Sequence, residues 1–240
     1  MLRSLAPVLV AAALAGCHMD GDEGGGATVS KNYSVGNFSA IEVAGPYDVE
    51  VRTGANPSVA ATGSEKLLER TTVEVQGDKL VIHPENNHSF FHWGWTRHGK
   101  AHFTVTVPQL SGATIAGSGG IKVDKISGNA FEGEIAGSGG IQLASVEVQS
   151  LKLSIGGSGG VKAGAGHAKT ADYEIAGSGG IDAGGIIAEQ AKVSIAGSGS
   201  VKANATATAD VDVMGSGDVN VTGGAKCNIN KAGSGNVHCS

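Results

Sequence analysis

The sequence predicts an all-β protein, a right-handed parallel β-helix with coils of about 20 residues, preceded by a β-rich N-terminal half. The first observation is a Gly-Ser-Gly triplet that begins at residues 117, 137, 157, 177, 197, 215 and 233. Such a period is typical of a solenoid, in which each unit is too small to bury its own core. The second is that apolar and polar residues alternate around each triplet, the period of a strand with one buried face.

The N-terminal residues have the composition of an export signal. Arg3 precedes a short apolar run, Leu5 to Leu14, and this run is too short to span a bilayer. The stretch "LAGC" at 14–17 resembles the lipobox of bacterial lipoproteins, which implies that residues 1–16 are removed and that Cys17 carries lipid. An ordinary secretory signal is the alternative. The resemblance also implies the outer membrane, because His18 rather than an aspartate follows the cysteine.

Residues 17–28 and 29–110 form the next two predicted segments. The first is glycine-rich and acidic, so we expect a flexible tether to the lipid. The second keeps the strand alternation without the glycine motif, as in Ile41 and Val43, and "SEKLLER" at 64–70 predicts one helical turn capped by Ser64. We expect this part to continue the solenoid and to cap its open end.

The segment 85–102 interrupts this pattern with histidines and aromatic residues, and long loops often carry function. One interpretation is a metal site, because imidazole suits zinc, copper or nickel; its candidate ligands, spaced in pairs four residues apart, are His88, His92, His98 and His102. A second is a patch that binds a glycan or a membrane surface through Phe90, Phe91, Trp93 and Trp95. A third is that the aromatic residues pack on the solenoid and the histidines are solvated.

The repeat region, residues 111–240, is expected to be structural and to bind no cofactor. We expect the triplet serines to form a ladder of stacked hydroxyls, each able to donate to the next coil and accept from the last. Neither a histidine nor an acid recurs beside them as catalysis would require. The carboxyls of Glu134 and Glu174 fall in one column with Ser154 between them, and no arginine lies nearby, so we expect a solvated face. Calcium repeats need an aspartate after each Gly-x-Gly, and only Asp218 fits.

The last coil departs from the others. Lys231 replaces the recurring isoleucine, and Asn236 and His238 lie nearby, so we expect a polar cap on the open end. With Cys17 lipidated, Cys227 and Cys239 remain, both directed inward by the alternation. Because exported proteins meet oxidising conditions, we expect a disulfide between them, with free buried thiols as the alternative.

The chain resembles a bacterial family, "putative auto-transporter adhesin, head GIN domain", through "FSAIEVAGPYDVEVRTG" at 38–54, "VTVPQL" at 105–110 and the serial Gly-Ser-Gly coils. The resemblance covers roughly residues 38–222 and implies a right-handed β-helix exported to the cell envelope. Most copies here read Gly-Ser-Gly-Gly where the family often has Asp or Asn. The auto-transporter part of the description is not carried over.

We therefore expect a non-enzymatic lipoprotein of the cell envelope, serving structure, adhesion or binding. Its expected partners are the membrane, through the lipid on Cys17, and a glycan or an envelope protein. Nucleic acid is not expected, because the formal charge is -5 and no basic patch stands out. The alternatives are a β-helix enzyme acting on polysaccharides, and a metal- or haem-binding protein that uses the histidine-rich loop.

Overall fold

The computed structural model describes residues 27–85 and 101–240, and these residues fold almost entirely into β-strands. The parallel β-solenoid predicted from the repeat is confirmed. The elements are β1 (Thr28–Tyr33), β2 (Ala40–Ala44), β3 (Asp48–Thr53), β4 (Ser58–Ser64), α1 (Glu65–Glu69), β5 (Thr71–Gln76), β6 (Lys79–Pro84), β7 (Ala101–Val107), β8 (Gly112–Gly117), β9 (Gly120–Gly137), β10 (Gly140–Gly157), β11 (Gly160–Gly177), β12 (Gly180–Gly197), β13 (Ser200–Gly215), β14 (Asp218–Thr222), β15 (Lys226–Gly233) and β16 (Val237–Cys239).

Each long strand is one coil, and it bends twice to give three flat faces. In β10 the buried and exposed side chains alternate, except that Ala144 and Ser145 both point outward, as do Gln149 and Ser150. These double positions mark the corners, since a straight strand directs neighbouring side chains to opposite sides. The first face therefore covers 140–144, the second 145–149 and the third 150–156, and the triplet makes the remaining corner.

The coils stack in register, so the core consists of columns of similar side chains. One column on the third face holds seven fully buried residues in successive layers: Val43, Ile115, Ile135, Ile155, Ile175, Ile195 and Val213. Neighbouring layers lie about 4.8 Å apart, close enough for such side chains to pack on one another. Each layer therefore buries apolar surface on the next, which no single coil could do.

The two glycines of each triplet have different structural reasons. Gly157, the first of its triplet, has φ +126°, a backbone conformation that side chains with a Cβ rarely adopt. A Cβ on Gly159, the second, would lie 2.7 Å from the carbonyl oxygen of Gly139 in the layer below. Glycine is therefore required at the first position for its positive φ and at the second for the close approach of two layers. The next glycine, Gly160, has open space around it, and the matching positions in later coils carry Ser200 and Asp218.

The expected chain of hydroxyl hydrogen bonds along the triplet serines is largely wrong. Among the described residues only Ser216 and Ser234 bring their hydroxyl oxygens within hydrogen-bond distance, at 3.1 Å. A repeat of about 4.8 Å is too long for a hydroxyl to reach its translated copy, since such bonds span about 2.8 Å. The layers are joined instead by backbone groups, as where the Ser138 N–H donates to the carbonyl oxygen of Gly117 at 2.9 Å.

The N-terminal half supplies two further layers and then closes that end of the solenoid. Strands β2 and β3 stack on β8 and β9, and β6 and β7 stack in turn on β2 and β3. Beyond these parallel layers, β5 pairs antiparallel with β6, while β4 and then β1 pair antiparallel beyond β7. The sequence therefore predicted correctly that this part continues the solenoid and caps it.

The short helix α1 joins the closing strands, and it is the helical turn predicted at 64–70. Its expected cap is wrong in detail, because the Ser64 side chain makes no capping hydrogen bond. The Glu65 N–H donates instead to the carbonyl oxygen of Ala27, 3.0 Å away. No helix among the described residues is long and apolar enough to cross a membrane.

The C-terminal end is closed less completely. A disulfide joins Cys227 in β15 to Cys239 in β16, across a Cα–Cα distance of 6.7 Å. Lys231 donates through its Nζ to the carbonyl oxygen of Gly235 at 2.8 Å, so its stem lies across the end of the core. Ile229 belongs to an inward column but remains 46% exposed, because no further layer covers it.

The glycine positions can be tested with a matched pair of variants. A Cβ on Gly157 would collide with the carbonyl oxygen of Gly137, whereas the nearest atom to a Cβ on Gly160 lies 3.9 Å away. We expect Gly157→Ala to lower the free energy of unfolding by about 2 kcal/mol or more and Gly160→Ala to change it by less than about 0.5 kcal/mol. Chemical denaturation measures both; equal effects would contradict the layer contact.

Two buried tyrosines offer a second test. The Tyr47 hydroxyl donates to Thr71 Oγ1 at 3.1 Å, since that threonine donates its own proton to the carbonyl oxygen of Leu67 at 2.7 Å. The Tyr173 hydroxyl is buried without a partner among the described residues, and burial raises the pKa of this phenol. We expect Tyr47→Phe to cost about 1 kcal/mol and Tyr173→Phe to be neutral or stabilising. A clear loss at Tyr173 would mean that a buried water or another group binds its hydroxyl.

Candidate binding surfaces

Most of the loop and anchor residues proposed from the sequence lie outside the described residues. This holds for Cys17 and for the loop positions His88, Phe90, Phe91, His92, Trp93, Trp95 and His98. Only His102 of the four candidate metal ligands is described; it lies in β7, and its Nε2 is 3.7 Å from Glu50 Oε2. Within residues 27–85 and 101–240, no three His, Cys, Asp or Glu side chains converge on a metal site.

The strands flanking segment 86–100 show where that segment is attached. It joins β6 to β7, in the same position of the coil where Gly45 to Tyr47 joins β2 to β3 and where a Gly-Ser-Gly triplet joins the later strands. The segment thus replaces a tight triplet corner. An apolar groove of about 530 Å³ lies beside Pro84, just before the segment begins. It is lined by Ala44, Ala116 and the first glycine and the serine of two triplets.

Strand β1, which follows the segment predicted to be a tether, begins next to this corner. Val29 in β1 is the register partner of Gly63 in β4, and Gly63 is the partner of Ala101 in β7. Two strand spacings, about 9.6 Å, therefore separate the start of β1 from the start of β7. The chain that leads back to Cys17 and segment 86–100 consequently leave the fold side by side, at its closed end.

The third face carries a second candidate surface on its outer side. A shallow groove of about 610 Å³ runs along successive coils there. Its floor consists of small residues, among them Gly156, Ala176 and Ala196, and the side chain of Met214 is 64% exposed at one end. One wall consists of polar residues, Ser154, Glu174, Ser194, Asp212 and Asn230.

The carboxyls beside this groove differ in their surroundings. Ser154 Oγ donates to Glu174 Oε2 at 3.4 Å. Asp172 has one buried carboxyl oxygen without a hydrogen-bond donor among the described residues, and burial, reinforced by the charge of Glu174, raises the pKa of this carboxyl. Lys192 and Lys152 oppose that shift without cancelling it. The charged form of Asp172 is therefore held at a cost to the folded state.

Known proteins resemble this chain in sequence family and in fold. The family model described as "Putative auto-transporter adhesin, head GIN domain" matches residues 37–225. The chain belongs to this family. Membership confirms the resemblance drawn from the sequence, and it points to the cell envelope or surface and to adhesion or binding as the broad role. No curated protein matches the chain.

Solved structures share the fold at low sequence identity. A "putative adhesin" from Bacteroides fragilis is 22% identical, with a TM-score of 0.77 over 89% of this chain and 97% of the other. A "putative lipid binding protein" from Parabacteroides distasonis is 24% identical, with a TM-score of 0.70 over 90% and 98% of the two chains. A "putative adhesin" from Parabacteroides merdae is 20% identical, with a TM-score of 0.61 and the same coverage.

The raised pKa of Asp172 gives a pH-dependent prediction. As the pH falls through this raised value, the carboxyl is protonated in the folded chain before it would be in the unfolded chain, whose value is near 3.8, so the cost of its charge disappears. We expect Asp172→Asn to raise the melting temperature at pH 7 and the gain to shrink as the pH approaches 4.

The control is Asp182→Asn, which removes an exposed ion pair with Lys202 (3.3 Å) and should change the melting temperature little at either pH. Thermal melts followed by circular dichroism at several pH values measure both variants. A constant or growing gain for Asp172→Asn at low pH would contradict the assigned cause.

Proposed function

We propose that the protein is a non-enzymatic lipoprotein of the outer membrane that uses a rigid solenoid to hold binding surfaces at fixed distances from its tethered end. The observation that carries this proposal is the shared attachment point at the closed end, where the tether and segment 86–100 leave the fold about 9.6 Å apart. The lipobox at 14–17 supplies the anchor, Cys17.

The tether sets the geometry of this proposal. Ala27 follows Cys17 by ten positions, so the start of the folded part lies within about 35 Å of the lipid even when the tether is extended. The closed end faces the membrane, and the later coils project away from it. Segment 86–100 then lies on the membrane-facing side, where Trp93 and Trp95 suit the boundary between water and lipid.

Stiffness is the second requirement of a presenting scaffold. Parallel pairing joins every coil from β9 to β13, with register shifts between β12 and β13, and columns of buried isoleucine and valine run through all of these layers. A side chain on the outer surface therefore keeps its distance from the anchored end. This supports adhesion or binding at defined positions along the solenoid.

The anchor is tested with Cys17→Ala in the producing bacterium. We expect the wild-type protein in the membrane fraction and the variant in the soluble envelope fraction, because one lost lipid anchor removes the main membrane attachment. The control is Cys227→Ala with Cys239→Ala, which keeps the lipobox and should stay with the membrane. Wild-type protein in the soluble fraction would contradict lipidation.

The same samples report on segment 86–100, because Trp93 and Trp95 are the only tryptophans in the chain. Soluble Cys17→Ala protein mixed with lipid vesicles should show tryptophan emission shifted to shorter wavelength, and a panel of glycans should not produce this shift. A shift with a glycan but not with vesicles would assign the segment to glycan recognition instead.

A further inference from the structure

One outward column of the third face has a regular alternation that the repeat period alone does not show. From the closed end onward, register partners in successive layers are Glu42, Thr114, Glu134, Ser154, Glu174, Ser194, Asp212 and Asn230. Carboxylates alternate with hydroxyls, so that four carboxylates stand two layers apart. We call these four, Glu42, Glu134, Glu174 and Asp212, the acidic ladder. At about 4.8 Å per layer, the repeat of the acidic ladder is about 9.6 Å.

The neighbouring outward column on the same face pairs carboxylates with lysines. Its successive residues are Glu132, Lys152, Asp172, Lys192 and Asp210, so the sign alternates, and Lys152 Nζ lies 3.2 Å from Glu132 Oε1. In the acidic ladder only Glu42 has a cationic partner within 4 Å among the described residues, Lys79 at 2.9 Å. The remaining carboxylates are kept apart by hydroxyls, which limits their repulsion but does not neutralise them.

The acidic ladder also borders the groove of about 610 Å³ on the third face. Glu174 and Asp212 line its polar wall, and small residues form its floor, so the carboxylates stand beside a shallow apolar channel. The two columns together hold six carboxylates and two lysines over the six layers from β9 to β15, a formal charge of -4 for these two columns.

We propose that this groove binds an extended basic protein segment in the polyproline II conformation, with a lysine or arginine at every third residue. Polyproline II has three residues per turn and rises about 3.1 Å per residue, so every third side chain returns to one side after about 9.3 Å. That distance matches the acidic-ladder repeat of about 9.6 Å. A β-strand returns a side chain to the same face after about 6.7 Å, which does not match the acidic-ladder repeat, so most of its cations would fall between carboxylates.

The floor of the groove suits the same occupant. Gly156, Ala176 and Ala196 leave room for proline rings, and Met214 offers an exposed apolar contact at the end of the channel. A polyproline II segment makes no internal hydrogen bonds and loses little conformational freedom on binding, which favours its recognition by a shallow surface. Charge complementarity with the acidic ladder sets its register along the solenoid.

This inference deepens the proposed function, because it names a partner for the presented face, and it is tested separately from the anchor. The probes are two labelled peptides with four lysines each, (Pro-Pro-Lys)4 and (Pro-Pro-Pro-Lys)4, titrated with the detergent-solubilised full-length protein and followed by fluorescence anisotropy. We expect the first to bind at least tenfold more tightly than the second, and its affinity to fall as salt is raised.

The variant Glu174→Gln with Asp212→Asn should weaken binding of (Pro-Pro-Lys)4 at least tenfold. Its matched control, Glu147→Gln with Glu189→Gln, removes two exposed carboxylates from the second face and should leave the affinity unchanged. Both pairs are on the outer surface, and circular dichroism melts confirm that each variant is folded. Equal binding of the two peptides, or binding that survives in the groove variant, would overturn the proposal.

Other occupants give distinct results. Binding of a glucosamine oligomer, but of neither peptide, that is lost in the groove variant would replace the peptide with a cationic glycan. A dimer in sedimentation that dissociates in the groove variant would assign the groove to a second copy of the chain. Wild-type protein that stays with the membrane but binds neither peptide overturns only this inference. Wild-type protein in the soluble fraction overturns only the anchor.

Discussion

The rest of the structure depends on one constraint, the in-register stacking of coils by backbone hydrogen bonds at about 4.8 Å per layer. Any residue placed at one position of the coil meets the same position of the next layer directly. Inside, this is favourable, because Ile135, Ile155 and Ile175 pack on one another out of contact with water. At the corner it excludes side chains, because a Cβ on Gly159 would meet the carbonyl oxygen of Gly139. The same stacking therefore explains both the apolar columns and the recurring glycines.

On the outer surface the stacking becomes an electrostatic problem, since identical charges one layer apart would repel. The column containing Lys152 and Asp172 solves it by alternating the sign. The acidic ladder solves it by inserting hydroxyls, and among the described residues its carboxylates other than Glu42 have no cation within 4 Å. The first solution needs no partner, whereas the second leaves a periodic negative charge available to one. Asp172 shows the limit of pairing, because its buried oxygen has no donor among the described residues and burial raises the pKa of its carboxyl.

Features that recur at the period of the coils could be predicted from the sequence. Features shifted by an insertion or by a shortened coil could not. The isoleucine columns and the inward cysteines of the last coil follow directly from a period of 20 or 18 residues. The coil at 40–53 does not, because Pro46 and Tyr47 replace the serine and second glycine of the triplet, although "IEVAG" at 41–45 still matches "ATIAG" at 113–117. Of the acidic ladder, only Glu134 and Glu174 could be identified from the sequence as members of one column. Glu42 joins it across an insertion of two strand pairs, and Asp212 joins it after a coil shortened by two residues.

The two ends of the solenoid differ in how completely their core is covered. At the N-terminal end, antiparallel strands cover the core, and Tyr47 stacks edge-on against Phe103 with ring centroids 5.6 Å apart. At the C-terminal end Ile229 stays partly exposed, and β15 and β16 are the last strands of the stack. An inward-pointing charge such as Lys231 disfavours the addition of a further strand there. The C-terminal end of the stack is thus protected against growth by sheet extension.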